Sequence, residues 1–487
     1  MAVFRVTTDG LQAAITAASP GDTIMLPAGV ITCPDANGFI IDKPLTIQGA
    51  GRPYLFENLA SGPAPDTEIG WSSGTIIRVY NPSANSAGGM NSTAFTLVGG
   101  VTPLTNVVIR DLGIENNYVI PVFTGSSGTA GKTAVPRGTG SGIKIDATLG
   151  NVQYCKFERL AIRFMGKHGI EVTGGAVLGA LDQSEFKDVQ VASSRGHGAR
   201  FEYASDIKLR DCTFVGNEQC GTFWKGCAII KQYDCAYLDN GHSFVNSGQI
   251  DAEGDPASWP FFNQAQCYLK GGSRFSLFGC DFENWAQAHG IVNDVPRAIS
   301  LETCEGGAII GTACYNEAYP APAAGPPLVA DSYFILLLSD VTGMAIIGNQ
   351  IMSCTKSVFS RPGQNVSGNI VMGNNVSYDG SHAAPCEFDI ANDIDTASNA
   401  SGGNVVLQQM IEGSAFAGRN YCAGLQLPMI SGVAAMTNTG LKRNTLTYDN
   451  AAGSLKLYDG TAWAPVLTGP VFYNDELVTV DDEAVTY

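Results

Sequence analysis

The chain has 487 residues, 58 of them glycine, with 45% hydrophobic and only 15% charged residues. Its net charge of −17 argues against general nucleic-acid binding, which needs a Lys/Arg footprint, and against adsorption to an anionic membrane. Few charges with many glycines and β-branched residues exclude a helical bundle and predict an all-β chain of short strands joined by tight turns.

Taken in chain order, the opening "MAVFRVTTDGLQAAITAASPGDTIMLPAG" shows no basic region followed by an unbroken apolar run, so no secretory signal is read. No later run reaches the length of a membrane span. Residues 8–18, "TDGLQAAITAA", predict a short amphipathic helix with Asp9 near its N-terminus, where a negative charge is favourable. The segments "GDTIMLPAGVIT" and "KPLTIQGAG" then predict the first strands.

From residue 157 the chain repeats itself. "FERLAIRFMGKHGIEV" (157–172) lies over "FKDVQVASSRGHGARF" (186–201), matching Phe157 to Phe186, Leu160 to Val189, Ile162 to Val191 and His168 to His197. "LRDCTFVGNEQCGTFW" (209–224) continues the template, with Cys212 at the Val189 position and Cys220 at the histidine position. Cys235 and Tyr237 then fall on Cys212 and Phe214. "LFGCDFENWAQAHGIV" (277–292) repeats the pattern, and "AIIGTAC" (308–314), "AIIGNQI" (345–351) and "IVMGNNV" (370–376) extend it. Units of roughly 23–37 residues without a helical apolar stripe predict a solenoid in which each unit is one winding. Matching residues should stack at about 4.8 Å. Cys212 should lie over Cys235, and Glu171 should face Arg200 as a surface ion pair. The 13 cysteines sit on predicted strands without C-x-x-C pairs, so they read as buried free thiols of a protein folded in a reducing cytoplasm, neither a zinc site nor a disulfide framework.

The helix, first strand and Gly-rich turn of the opening resemble the start of pectate-lyase-like right-handed β-helix proteins, a group that includes many phage tailspikes. The resemblance covers about residues 1–405. It implies a right-handed, single-stranded parallel β-helix (23–405) behind an N-terminal cap (1–22). It implies little about activity, because the fold carries lyases, hydrolases, epimerases and inert fibres. Past residue 405 the coil pattern fades. "NTLTYDNAAGSLKLYDGTAWAPV" (444–466) reads as two short strands around "NAAG" followed by "YDGTAW". It resembles the small C-terminal modules of phage tail fibres and tailspikes. Residues 406–487 are therefore expected to form a β-rich oligomerisation or tip module, and the resemblance implies a homotrimer on a virion tail, assembled in the host cytoplasm with other tail proteins. The opening helix leaves no room for a separate head-binding domain, so attachment through the capped end, an adaptor or a larger fibre stays open.

Gly196-His197-Gly198 resembles a motif of the β-helical polygalacturonases. In that family it accompanies Asn-Thr-Asp, Asp-Asp and Arg-Ile-Lys on neighbouring turns, and these are missing here. The triplet therefore reads as structural, with glycine supplying the turn.

Two other segments carry candidate chemistry. "NSGQIDAEGDPASWPFFNQAQ" (246–266) interrupts the period with Asp251, Glu253 and Asp255, followed by Trp259, Phe261 and Phe262. Flat aromatics stack on sugar faces, and carboxylates bind hydroxyls or transfer protons. The competing reading is a solvated loop packed on the coil or on a neighbouring subunit. In "CDFENWAQAHG" (280–290), Asp281, Glu283 and Trp285 share one face of a strand, opposite Cys280 and Phe282. Glu302 and Glu305 in "LETCEGG" lie about one winding further on. The catalytic candidates are thus Glu283, Asp281, Asp251 and Glu253, and the substrate-binding candidates are Trp259, Phe261, Trp285, Asp255 and Glu302. Surface decoration is the competing reading for this second group. Arg200, Arg210 and Arg297 are present, but no acidic cluster with an arginine partner marks a calcium-dependent lyase site, so no metal and no cofactor are assigned.

Three functions remain open at this level. The first is a phage tailspike that binds host lipopolysaccharide or capsule and acts as a depolymerase. The second is a non-enzymatic virion fibre or receptor-binding protein. The third is a bacterial polysaccharide lyase or epimerase. "YDGTAW" and the lack of a signal favour the first two.

Overall fold

A computed structural model describes residues 2–6, 10–33, 38–53, 74–79, 92–116, 140–175, 178–217, 219–238, 240, 265–284, 297–316, 333–352, 354, 356–360 and 366–377. Beyond these it describes short strands at 405–407, 410–412, 429–430, 445–449, 454–458, 463–465, 471–473 and 476–478. The chain divides into two compact units, Met1–Tyr421 and Cys422–Tyr487.

The first unit is a parallel β-helix. Each strand pairs in parallel with its equivalent one winding before and one winding after, and three such ladders form three faces. On the first face the inward column runs Ile41, Leu97, Ile145, Val172, Phe201, Trp224, Leu269, Leu301 and Leu337. On the second it runs Ile47, Ile109, Phe157, Phe186, Leu209, Gln232, Leu277, Ile309, Ile346 and Val371. On the third it runs Ile114, Ile162, Val191, Phe214, Tyr237, Phe282, Cys314 and Ile351. These side chains form one continuous core. Aromatic residues meet on consecutive windings: Phe157 and Phe186 at 4.5 Å, Phe201 and Trp224 at 4.0 Å, Tyr237 and Phe282 at 4.7 Å. Each such stack adds about 0.5–1.5 kcal/mol beyond its burial.

A corner residue sets the winding. Between the second and third faces each winding from Asp111 onward places one residue in the left-handed region: Asp111, Arg159, Asp188, Asp211, Asp234, then Gly279, Gly311, Gly348 and Gly373, with φ between 51° and 64°. Asp and Gly are among the residues that tolerate this conformation. Buried amides tie neighbouring windings together. Asn217 Oδ1 accepts from Ser194 N, and Asn217 Nδ2 donates to Asn240 Oδ1 at 2.7 Å. Asn349 and Asn374 do the same at 2.8 Å nearer the C-terminal end.

Among the described residues the repeat read from sequence holds in register, and 285–292 of its later copy lie outside them. Phe157 pairs with Phe186 and Phe214 with Tyr237, which sets Cys212 against Cys235. The eleven cysteines among the described residues are free and buried. Helix Leu11–Ala17 forms as read and sends Leu11 and Ile15 into the core; Asp9 lies outside the described residues. Strands Val405–Leu407 and Met410–Glu412 continue the second and third ladders past residue 405.

In the second unit, Thr445–Asp449 and Ser454–Tyr458 pair antiparallel, and Trp463–Pro465 adds to the latter. Met429–Ile430 lies parallel to the first strand of this hairpin. A further hairpin joins Val471–Tyr473 to Glu476–Val478. No helix among the described residues is long and apolar enough to cross a membrane.

Candidate functional site

The coil makes one corner special. Connections from the third face to the first are short at 164–169, 193–198 and 216–221, and long at 116–142, 239–264, 285–296 and 317–332. Of the candidates from sequence, Asp281 and Glu283 lie on the strand that leads to this corner. Asp251, Glu253, Asp255, Trp259 and Phe261 fall in the connection 239–264 and Trp285 in 285–296, outside the described residues.

Asp281 and Glu283 lie on strand Asp281–Asn284 of the third face, and alternation turns them away from the core. Cys280 and Phe282 between them are each 1% exposed, whereas both carboxylates are half-buried. Asp281 is in register with Ala236 and Ala313, and Glu283 with Leu238 and Tyr315, so each carboxylate is flanked by uncharged side chains on adjacent windings. Burial, reinforced by Glu283, raises the Asp281 carboxyl above its ordinary pKa. Two same-side residues on a strand have Cα atoms about 6.6 Å apart, from a rise of about 3.3 Å per residue.

Glu302 stands elsewhere. It ends strand Arg297–Ile310's run along the first face, in register with Lys270, whose Nζ is 3.8 Å from Glu302 Oε1. It accepts a hydrogen bond from Tyr268 Oη. Burial, followed by Glu302, drives the Tyr268 phenol far above its ordinary pKa, so the phenol keeps its proton. Arg297 on the same winding is 2% exposed, and burial lowers its guanidinium to about 10. Sequence reasoning missed Tyr268 because its partner is 34 positions away.

The windings with short connections hold the histidines. The His168 and His197 rings stack at 5.2 Å, and His197 stacks on Phe223 at 4.9 Å. His168 Nδ1 accepts from His197 N at 2.9 Å, and His197 Nδ1 accepts from Cys220 N at 3.1 Å. Each imidazole therefore ties the backbone of the next winding, and the structural reading of Gly-His-Gly is the one the geometry supports. A Cβ on Gly196 would come within 2.4 Å of His168 Nδ1, and one on Gly198 within 2.6 Å of Gly221 O, so close approach demands glycine at both positions.

Glu171 and Arg200 are register partners, but they are not on the surface as expected. They are 2% and 8% exposed. Glu171 accepts from Ser141 Oγ at 2.7 Å and from Lys167 Nζ, and Arg200 donates to Glu202 at 2.6 Å. Nearby, Glu115 is shared by Arg78 at 2.7 Å and Arg163 at 3.0 Å. Among the described residues no group of His, Cys, Asp and Glu is arranged to hold a metal ion.

No protein-family model and no curated protein matches the chain. Its course is similar to several solved structures. ORF18 of Geobacillus virus E2 is 13% identical over 96% of this chain and 86% of its own, with a TM-score of 0.46. Tailspike protein 3 of bacteriophage CBA120 is 11% identical over 93% of this chain and 65% of its own, with a TM-score of 0.47. The lidless DFA-IIIase of Arthrobacter chlorophenolicus A6 is 13% identical over 82% of this chain and 88% of its own, with a TM-score of 0.49. The strand register, independent of these likenesses, defines the class: a parallel β-helix protein.

Proposed function

We propose that the protein is a phage tail component that binds host cell-surface polysaccharide, lipopolysaccharide or capsule, and cleaves it, working as several copies of the chain on the virion, a homotrimer in the reading its C-terminal motif supports. The observation that carries this reading is the outward pair Asp281 and Glu283 beside the corner where the long connections enter. One carboxyl is raised above its ordinary pKa and the other lies one side-chain step along the same face. Such a pair can supply an acid that protonates a leaving glycosidic oxygen and a base that activates water. Asp281, whose carboxyl burial raises above its ordinary pKa, takes the acid's part in this reading and Glu283 the base's. Trp259, Phe261, Trp285 and Asp255 belong to this reading as sugar-binding residues, with Asp251 and Glu253 as further catalytic candidates.

A non-enzymatic receptor-binding fibre is the second reading, and Glu302 favours it locally. Bonded to Tyr268 and beside Lys270, it is a partner in a fixed contact and not a free base.

The test incubates purified protein with host lipopolysaccharide and capsule and assays reducing ends and unsaturated uronates. Release of reducing ends, lost in Glu283→Gln and Asp281→Asn while glycan binding persists, is the expected result. Cleavage undiminished in both variants removes the site assignment. Binding without any product leaves the fibre reading.

A further inference from the structure

The outer side of the second face changes character along the coil. Two outward columns run its length. One reads Lys156, Glu185, Lys208 and Lys231, then Ser276, Ala308, Ala345 and Ile370. The other reads Arg110, Glu158, Lys187 and Arg210, then Tyr233, Phe278, Ile310, Ile347 and Met372. Inward residues of the same strands, Leu277, Ile309, Ile346 and Val371, are at most 1% exposed, so the outward set is not core. Ile370 is 42% exposed, and Tyr233, Phe278, Ile310, Ile347 and Met372 are half-exposed. From residue 275 onward this face carries no charge in either column.

The corners change with it. The left-handed corner position is Asp or Arg through Asp234, and Gly from Gly279 onward. On the opposite corner Gly306, Gly343 and Gly368 take the same conformation. Asp holds this conformation in the earlier windings, and a Cβ on Gly306, Gly311 or Gly348 would meet nothing within 4 Å. At Gly279, where the switch begins, a Cβ would come within 2.7 Å of Asp234 Oδ1, whereas Gly306, Gly311 and Gly348 are uncrowded and only their positive φ favours glycine. The switch removes the corner side chain on the third-face border from Gly279 onward and on the opposite border from Gly306 onward, after the exposed Arg274.

We propose that this strip, centred on Phe278, Ile310 and Ile347, is the surface through which copies of this chain associate side by side and parallel. Two properties select a second copy as the occupant. Each chain carries a net charge of −17, so copies repel through most of their surface and can close contact only where no charge is buried. The strip is also self-complementary. A ridge of large residues (Phe278, Ile310, Ile347, Met372) runs beside a groove of small ones (Ser276, Ala308, Ala345), both with the winding period. Rotation about an axis along the coil sets one copy's ridge against the other's groove at equal height. An antiparallel approach about an axis across the strands sets ridge on ridge. An apolar exposed patch of this kind marks an interaction surface. The strip deepens the oligomeric part of the proposed function and is independent of its glycan chemistry, since a chain that cleaves nothing can still associate here.

The test replaces Phe278 with a photo-crosslinking benzoylphenylalanine in the full chain and maps the products by mass spectrometry. The expected product joins two copies, with the crosslink falling on the segment 276–310 of the second. Sedimentation of the wild type should give a multiple of 51.1 kDa. Ile310→Glu/Ile347→Glu should weaken association at least tenfold with the β spectrum retained, while Lys187→Glu leaves the mass unchanged. Should the double variant misfold, Ala308→Arg, which fills the groove from an outward position, takes its place. A wild type that sediments as one chain, an oligomer unaffected by these changes, or crosslinks confined to residues far from equal height would overturn the proposal.

Discussion

The first and second faces share one core pattern and differ outside it. On and beside the first face stand Glu171, Arg200, Tyr268 and Arg297, with His168 and His197 in the connections leading to it, all buried. Outward from the second face stand charged residues and then apolar ones, half-exposed or exposed along its length. Polar groups buried on the first face must be satisfied by specific partners, whereas those on the second are satisfied by water. Substitutions on the first should therefore cost far more than substitutions on the second.

The sharpest contrast is between buried and open ion pairs. Arg163→Ala leaves Glu115, 7% exposed, without one of its two arginines, and should cost about 3–5 kcal/mol in denaturant unfolding. Asn217→Ala breaks a buried amide ladder and should cost about 1–3 kcal/mol in the same assay. On the second face, Arg210 pairs with Glu185 at 3.0 Å and lies over Tyr233 at 4.9 Å, but its side chain is 46% exposed. Arg210→Ala should cost below about 1 kcal/mol. Arg163 and Glu115 belong to the third face, so equal costs for Arg163→Ala and Arg210→Ala would erase the distinction between buried and open ion pairs.

Asp281 gives a pH-dependent version of the comparison. Its folded pKa is raised, so the native chain keeps this proton to higher pH than the unfolded chain. The group's contribution to stability is complete below the ordinary carboxylate range and is lost as pH rises through the raised value. Asp281→Asn should flatten that part of the pH–stability curve. The core itself should be silent: burial pushes Cys155, Cys227, Cys267 and Cys304 up to about 12. These thiols should resist maleimide at pH 7 in the native chain and label fully in denaturant.

Stacking explains what the sequence disclosed. Where a residue touches its own equivalents above and below, the windings repeat its type, as with Phe157 and Phe186, His168 and His197, or Cys212 and Cys235. The corner gave a second repeating signal, the Asp or Gly of "RDC", "YDC", "FGC", "IGT" and "MGN", whose left-handed φ emerged only from the backbone. Burial outside the coil left no comparable trace. Glu171 and Arg200 looked like surface charges because alternation along a strand tells inward from outward and not whether the outward side is covered. Tyr268 and Glu302 sit on different windings with no shared motif. Asp281 and Glu283 were legible as a same-side pair, since a strand fixes that relation locally, but the raised carboxyl depends on its surroundings.

All of these assignments rest on which residues are neighbours between windings, and one crosslinking measurement reads that directly. Lys187 and Arg210 are register partners on the open second face, at a separation a disulfide can span. Lys187→Cys/Arg210→Cys should oxidise to an intramolecular bond, whereas Lys187→Cys/Lys208→Cys, displaced by two positions, should not. Bonding in the displaced pair and not in the matched one would mean the windings are stacked in another register, and the site and the association surface would both be lost.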